Sequence, residues 1–304
     1  MIAKEVLMIK PCNFNFNEET AVNNAYQKNE KEAREKIERA AISEFEALVK
    51  KIEDRGVKVH VLVDTPCPYT PDSIFPNNWF STHIGKLVTY PMFAENRREE
   101  RKKFLGQVMD VLRLEEKDRI DFSSFEKEGL FLEGTGALVL DRENKYAYCT
   151  LSPRASEKVL IEFCKKLDYK PIVFKAFQEF SGKEISIYHT NVMMGLGEKF
   201  AVICLNAIKD KNERNLVEDT LRKSGKKIVD ITFDQVSHFA GNVLEVMNGK
   251  GKKIVLMSES AYEALTAEQK AIIEEESEIL YSPIPTIETY GGGSVRCMVA
   301  EIYR

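Results

Sequence analysis

The sequence is poor in the residues that build disulfide scaffolds and zinc sites. It has six cysteines and four histidines in 304 residues, and no two cysteines form a Cys-x-x-Cys pair. Closely spaced cysteines and histidines are the usual signature of both classes of protein. We therefore expect neither structural disulfides nor a bound metal, and no motif for an organic cofactor is present. Most of the cysteines, such as Cys204 in an apolar run, are expected to be small core residues.

Long apolar runs and a large excess of one charge are also missing. The first residues, MIAKEVLMIKP, place charged side chains around a run too short for a signal segment or a membrane span. The 44 Lys and Arg residues nearly balance the 48 Asp and Glu residues, so neither nucleic acid nor an anionic membrane is favoured as a partner. We expect a cytoplasmic protein with a small polar ligand. The number of subunits stays open, a homo-oligomer included.

The chain shows no linker rich in Pro, Ser or Gly, so we expect residues 1–304 to form a single domain. Residues 24–54 predict a long helix, with apolar side chains such as Ile37, Ala41 and Phe45 at helical spacing. After Gly56 the pattern changes to short apolar stretches with a turn in the middle, often followed by a helical segment and another strand. Such stretches are 79–90, 136–149, 192–205, 243–257 and, at the end, 295–303.

A polar or reactive residue begins each of these stretches at a nearly constant interval. The gaps between consecutive members of the set are 55, 58, 51 and 55 residues; the set is Asn78, Glu133, Asn191, Asn242 and Cys297. A constant spacing of this size is typical of a repeat architecture. Five modules closing around an axis would bring the five side chains to one central pocket, as the blades of a propeller do.

Cys297 is the strongest candidate for a nucleophile. It follows the triple-glycine stretch Gly291-Gly292-Gly293, where the backbone can approach a ligand closely. The alternative is a buried structural thiol after a flexible turn. A nucleophilic cysteine needs a base that helps to form the thiolate, so the histidines decide between the two interpretations.

His189 has the most suggestive setting of the four histidines. It lies two residues before Asn191, and on a strand both side chains would share one face. Glu133, which precedes the Gly134-Thr135-Gly136 turn, could orient the imidazole as the acid of a catalytic triad does. The alternatives are a structural histidine and a surface turn. His60, His83 and His238 have no such partner and are interpreted as structural.

Taken together, these residues resemble the pentein superfamily of arginine deiminases, dimethylargininases and amidinotransferases, over nearly the whole chain. The resemblance implies an α/β propeller of five ββαβ modules around a pseudo-fivefold axis. It also implies a catalytic set of Cys297, His189 and Glu133. Arg154 and Arg97 would bind the carboxylate of an amino-acid substrate, Asp72 its amino group, and Phe75 would pack on its stem.

Two departures from the superfamily pattern point to the substrate. Guanidine-binding members carry Asp in Phe-x-x-Asp and His-x-Asp motifs, whereas this chain has Asn78 after Phe75 and Asn191 after His189. The loss of two buried counter-ions should ruin guanidinium binding, but an amide both donates and accepts and so matches a neutral ureido group. We therefore expect citrulline as substrate. The segment 10–20 and the Phe75–Trp79 motif are similar to the citrulline utilization hydrolases in particular.

The resemblance implies hydrolysis of citrulline to ornithine, ammonia and CO2 through a covalent adduct on Cys297. Because a neutral substrate brings no positive charge, Cys297 should depend on His189 more than it does in arginine-cleaving relatives. One alternative is an arginine or methylarginine deiminase, or an amidinotransferase, that tolerates the two asparagines. Another is a catalytically idle pentein that binds an amino acid. Neither the leaving nitrogen nor a role for Asn242 follows from the sequence.

Overall fold

A computed structural model of the protein describes residues 1–30, 32–180 and 182–304. Strands and helices alternate along these residues, which confirms the predicted α/β class. In chain order the elements are β1 (Glu5–Lys10), α1 (Glu18–Ala21), α2 (Arg34–Asp54), β2 (Lys58–Val63), β3 (Phe80–His83), β4 (Lys86–Thr89), α3 (Glu95–Leu112), β5 (Arg119–Asp121), α4 (Gly134–Ala137), β6 (Val139–Asp141), β7 (Tyr146–Thr150), α5 (Glu157–Leu167), β8 (Lys170–Phe174), β9 (Phe177–Phe180), β10 (Lys183–Ser186), α6 (Thr190–Met193), β11 (Met194–Leu196), β12 (Phe200–Ile203), α7 (Lys211–Lys223), β13 (Lys227–Asp230), α8 (Phe233–Ser237), β14 (Leu244–Met247), β15 (Lys253–Ser258), α9 (Glu259–Ala264), α10 (Ala267–Glu274), β16 (Glu278–Ser282), α11 (Pro285–Gly291), α12 (Val295–Met298) and β17 (Ala300–Ile302).

The described strands form five three-stranded sheets and one small hairpin, β9 with β10. In every three-stranded sheet the central strand pairs antiparallel with one neighbour and parallel with the other. An antiparallel neighbour needs only a tight turn, whereas a parallel neighbour needs a crossover, which a helix supplies here. Four of the five sheets are therefore a hairpin followed by a helix and a strand, as in β6, β7, α5 and β8.

The fifth sheet is built from both ends of the chain. β1 lies in its centre, pairs antiparallel with β17 so that Leu7 faces Ala300, and pairs parallel with β2. The sequence pattern of 295–303 indicated one more β-rich stretch, but residues 295–298 form the short helix α12 and only Ala300–Ile302 is a strand. Its antiparallel partner, β1, lies almost 300 residues away, and no local pattern can reveal such a pairing.

Contacts between neighbouring sheets run in the order of the chain and return to the start. α4 packs on β3, β6 on β11, β11 on β14, α12 on β15, and β17 on β3. The last contact is sealed by Thr82, whose hydroxyl donates to the carbonyl of Glu301 (2.8 Å) and accepts from the amide of Tyr303 (2.9 Å). The β3–β4–β5 sheet and the fifth sheet, β17–β1–β2, are thereby joined directly.

The predicted helix over 24–54 begins later than expected, at Arg34. Its apolar face is buried as the periodicity predicted, with Ile37, Ala41 and Phe45 almost inaccessible to solvent. Residues 24–30 leave the helical path because polar side chains among them bind carbonyl groups elsewhere, and residue 31 lies outside the described residues. Asn24, for example, donates to the carbonyls of Gly291 and Gly292. In the described residues, every helix is too short or too polar to cross a bilayer.

Candidate active site

The five residues of the sequence repeat occupy equivalent places, at the turn that precedes each hairpin. Asn78 ends a 3-10 helix before β3, Glu133 precedes α4, and Asn242 precedes β14. Asn191 and Cys297 lie within the one-turn helices α6 and α12. Neighbouring turns contact one another, since α4 packs on α6 and on the turn at 76–78, which also contacts α12.

The side chains of His189 and Asn191 contact different residues. The sequence predicted a strand with both side chains on one face. His189 has extended backbone, but residues 190–193 form a helical turn. Thr190 anchors that turn, because its hydroxyl donates to the carbonyl of Ala137 and accepts the amide N–H of Thr150. As a result the imidazole meets Glu133, while the amide of Asn191 meets Cys297.

Glu133 and His189 form a buried pair. Nε2 of His189 lies 2.8 Å from Oε2 of Glu133, and Oε1 of that carboxylate accepts the amide N–H of Phe93 at 2.9 Å. Although burial acts to raise it, the pKa of Glu133 falls to about 2 because Arg154 and His189 stabilise the carboxylate. Burial lowers the pKa of His189 despite the nearby Glu133. The pair is thus a carboxylate and a neutral imidazole, with the proton on Nε2 and Nδ1 free to accept another.

Cys297 is buried against two amide side chains. Nδ2 of Asn191 lies 3.4 Å from Sγ, and Nδ2 of Asn242 lies 3.3 Å from it. The triple-glycine stretch bends here, since Gly292 ends α11 with φ at +60°, a conformation that favours glycine. A side chain at Gly292 would also collide with Asn24 and Gln27 of the N-terminal loop.

Arg97 is enclosed by protein partners. Its Nε and Nη2 donate to both carboxylate oxygens of Glu100 at 2.8 and 3.0 Å, and Nη2 also reaches the carbonyl of Phe75 at 2.9 Å. Nη1 donates to Oδ1 of Asn78 at 2.5 Å. Arg97 lines the cleft, but these contacts favour a role in orienting Asn78 over the predicted binding of a carboxylate.

Asp72 and Arg154 are both tied to the loop that contains α1. Oδ2 of Asp72 accepts hydrogen bonds from Asn17 (2.8 Å) and Thr20 (3.1 Å), whereas Oδ1 is buried without a hydrogen-bond partner among the described residues. Burial raises the pKa of Asp72, and Arg97 opposes that shift. Arg154 donates to the carbonyl of Thr20 at 2.6 Å and approaches Oε2 of Glu133 at 3.5 Å.

These side chains surround one cleft. Seven of the nine predicted site residues line it, while Glu133 lies behind His189 and Asn191 behind Cys297. The lining residues are Thr20, Asn24, Asp72, Phe75, Asn78, Arg97, Arg154, Tyr188, His189, Gly291, Gly292, Gly293 and Cys297. Among the described residues, no group of three His, Cys, Asp or Glu side chains is arranged to hold a metal ion.

Sequence reasoning missed the roles of four residues that line this cleft or contact Sγ of Cys297. Thr20 and Asn24 come from the loop that was predicted in part as helix, and the conspicuous Asn and Thr content of residues 13–24 was the available signal. Tyr188 lines the cleft and donates its hydroxyl to the carbonyl of Gly292 at 2.9 Å. Asn242 stood at the repeat position with no role assigned, and the structure places it on Cys297.

Gly136 packs closely against the side chains of Asn78 and His189. A Cβ atom there would lie 2.8 Å from Nδ1 of His189 and closer still to Nδ2 of Asn78. We expect Gly136→Ala to displace both groups, because neither lies at the end of a flexible chain. Activity should fall by about a hundredfold, the effect of a misplacement of roughly 1 Å, and stability by about 1–3 kcal/mol. Turnover and urea unfolding measure the two effects.

The matched control is Gly106→Ala on α3, where an added methyl group meets no atom within 4 Å. That change should leave turnover intact and stabilise the helix by about 1 kcal/mol. Normal activity in Gly136→Ala would contradict the close packing of Asn78 and His189.

Comparisons with known proteins extend these observations. The family model described as N,N dimethylarginine dimethylhydrolase, eukaryotic, matches residues 10–304. A comparison with curated proteins found no match.

Solved structures share the fold at low sequence identity. The N-terminal domain of ArgZ, an arginine dihydrolase from the ornithine-ammonia cycle in cyanobacteria, is 15% identical with a TM-score of 0.75, over 99% of this chain and 98% of that one. A Cys-to-Ala mutant of AgrE in complex with L-arginine is 17% identical with a TM-score of 0.76, over 100% of this chain and 40% of that one. A dimethylargininase mutant from Pseudomonas aeruginosa, complexed with citrulline, is 12% identical with a TM-score of 0.68, over 99% and 100%.

The sequence resemblance, the five three-stranded sheets and the match over residues 10–304 agree. The chain belongs to the N,N-dimethylarginine dimethylhydrolase family of the pentein superfamily of guanidine-modifying enzymes.

Proposed function

We propose that the protein is a cysteine hydrolase that cleaves the ureido group of citrulline to give ornithine, ammonia and CO2. In this proposal residues 1–304 form one catalytic domain, with the five modules around a pseudo-fivefold axis. The direct contact of β17 with β3 supports the closed arrangement. The cytoplasmic location and a homo-oligomeric state stay predictions.

The orientation of Asn78 is the observation that carries the choice of citrulline. Nη1 of Arg97 donates to Oδ1 of Asn78 at 2.5 Å, and an arginine side chain has no acceptor. The amide is therefore held with its oxygen towards Arg97. One N–H of its Nδ2 is used by Oδ1 of Asn77 at 3.0 Å, which leaves the other N–H for a ligand in the cleft.

Asn191 is directed at the sulfur of Cys297 rather than at the cleft. Its Nδ2 is directed at Cys297, while its buried Oδ1 has no hydrogen-bond partner among the described residues. The choice of substrate therefore depends on the free N–H of Asn78. A ureido group offers its carbonyl oxygen to that donor. A guanidinium has donors only and would place an N–H against the N–H of Asn78.

The amino-acid end of the substrate would find its partners among the other residues that line the cleft. Oδ1 of Asp72 is a buried carboxylate oxygen without a partner, and an ammonium group would satisfy it. Arg154 supplies a positive charge for the carboxylate, and Arg97 stays a second, weaker candidate. Phe75 borders the cleft beneath Gly291 and Gly293 and can pack on the methylene stem.

The mechanism uses the protonation states of the resting site. Nδ1 of His189 takes the proton of Cys297, and the sulfur attacks the ureido carbon. Collapse of the tetrahedral adduct breaks one C–N bond, and His189 returns the proton to the departing nitrogen. Water then attacks the thiocarbamate carbon, which frees the thiol and a carbamate that loses CO2. One citrulline and one water thus give one ornithine, one ammonia and one CO2.

Two other functions compete with this one. Arginine or methylarginine would be the substrate if Asn78 and Asn191 tolerate a guanidinium, and solved relatives named for arginine chemistry favour that candidate. A catalytically idle, amino-acid-binding pentein is the second. The paired Glu133 and His189 beside a hydrogen-bonded Cys297 argue against an idle site.

Product analysis separates these functions. Purified protein is incubated with citrulline, arginine or methylarginine, and ornithine, citrulline and ammonia are quantified. We expect ornithine from citrulline, its loss in Cys297→Ser, and full activity in Cys67→Ser, an exposed cysteine that serves as the control. Citrulline produced from arginine, or no turnover of any of the three, would overturn the proposal.

A further inference from the structure

We propose that Asn242 is a catalytic residue that acts with Asn191 to stabilise the thiolate of Cys297 by N–H donation to Sγ. This inference requires Cys297 to be the nucleophile, but it does not depend on whether citrulline or arginine is the substrate. It assigns a function to the one repeat position that the sequence left unexplained.

The amide of Asn242 has a single possible orientation. Its Oδ1 accepts the backbone N–H of Arg296 at 3.0 Å, so the oxygen cannot be turned towards the sulfur. Its Nδ2 then faces two acceptors, the carbonyl of Asn191 at 3.0 Å and Sγ of Cys297 at 3.3 Å. Three of the four hydrogen-bonding positions of the side chain are used, both N–H groups and one lone pair of the oxygen. The residue is 1% exposed.

The surrounding backbone is built to bring this amide close. Gly241 passes directly against α6, where a Cβ atom would lie 2.7 Å from the carbonyl oxygen of Val192 and from the carbonyl carbon of Met193. Any larger residue would push Asn242 away from Asn191 and the sulfur. The backbone N–H of Asn242 is also fixed, because it donates to the carbonyl of Phe239 at 2.8 Å.

Two N–H donors on one sulfur favour the thiolate over the thiol. A neutral thiol is a weak acceptor, whereas a hydrogen bond to an ionised acceptor is roughly twice as strong as one between neutral groups. The amides therefore gain most when the S–H bond breaks, its proton moves to Nδ1 of His189 and both electrons stay on sulfur. A buried site with a neutral imidazole needs such donors, because the imidazole brings no resting positive charge to the sulfur.

The test is the pH profile of iodoacetamide alkylation, measured without substrate. A Cys12→Ser, Cys67→Ser background removes the two thiols that are not buried, and peptide mass spectrometry reads Cys297 alone. Asn242→Asp keeps the acceptor for the Arg296 N–H but replaces the donor on sulfur by an oxygen. We expect alkylation of Cys297 at pH 7 to slow at least about tenfold, and the profile to move to higher pH with the same alkaline plateau.

Asn248→Asp is the matched control. Asn248 is also a buried asparagine whose Nδ2 binds a backbone carbonyl, that of Arg55 at 2.8 Å, but it lies in the β14–β15 turn. Its profile should stay that of the wild type. An unchanged profile in Asn242→Asp would overturn the proposal.

A second measurement does not depend on how well the variant folds. The thiolate absorbance is followed over pH in the wild type and in Cys297→Ser. We expect the wild-type excess of thiolate to appear at lower pH than the thiolate of free cysteine does, and an excess that appears only at higher pH would also overturn the proposal. Because no substrate is present, either result leaves the choice between citrulline and arginine to the product analysis.

Discussion

Replacement of His189 by alanine is expected to reduce citrulline turnover by about 10²–10⁴-fold, the usual contribution of a positioned acid and base. The imidazole is the group in the cleft that can take the proton of Cys297 and return it to the leaving nitrogen. Glu133 holds Nε2 at 2.8 Å, so that Nδ1 is left for this transfer. Loss of the ring would leave both proton transfers to water. Steady-state ornithine release measures the effect.

The control for this change is His238→Ala, because His238 is exposed and lies outside the cleft. Its turnover should equal that of the wild type. A Glu133→Gln variant should lie between the two, since glutamine can still accept the Nε2–H but no longer stabilises an imidazolium. Near-wild-type turnover in His189→Ala would refute the proposed mechanism.

Asn78→Asp is expected to lower kcat/KM for citrulline by about a hundredfold or more, because a buried donor is replaced by an acceptor opposite the ureido carbonyl. The fold should survive, since the new carboxylate lies beside Nη1 of Arg97 and can form an ion pair with it. Binding of arginine should improve, as a carboxylate at this position faces the N–H groups of a guanidinium. The ratio of kcat/KM for citrulline and arginine is the measurement.

Asn248→Asp again serves as the control for an Asn-to-Asp change away from the cleft, and it should leave the ratio unchanged. The prediction concerns discrimination between citrulline and arginine. An equal loss of kcat/KM for both substrates would therefore indicate structural damage. Unaltered citrulline turnover in Asn78→Asp would refute the argument that the orientation of Asn78 selects citrulline.

The candidates for nucleophile, base and acid could be singled out because each lies in a short motif with few alternatives, and the structure brings their side chains to one site. Cys297 follows three glycines, Glu133 precedes a Gly-x-Gly turn, and only four histidines compete for the remaining role. The hairpins were predictable for a related reason, since a turn between two apolar stretches is a local signal. The α/β class and the modular order of the fold follow from these local signals.

What the sequence could not predict depends on contacts between distant residues. The amide orientation of Asn78 is decided by Arg97, and that of Asn242 by the backbone of Arg296, 54 residues away. Residues 24–30 were wrongly predicted as helix because periodicity takes no account of the carbonyl groups that Asn24 reaches. The pattern at His189 was assigned to a strand because the anchors of Thr190 lie on other modules.

The position of β1 between β17 and β2 has a consequence for synthesis. β1 emerges from the ribosome before β2 and can pair with it early, but its other edge waits until residues 300–302 have been made. At 5–20 residues per second that delay is roughly 15–60 s, during which an apolar strand edge is open to wrong partners. The same delay postpones the reactive thiol, because Cys297 is translated among the last residues of its sheet. A nascent chain therefore carries no nucleophile at this site until the fifth sheet can close around it.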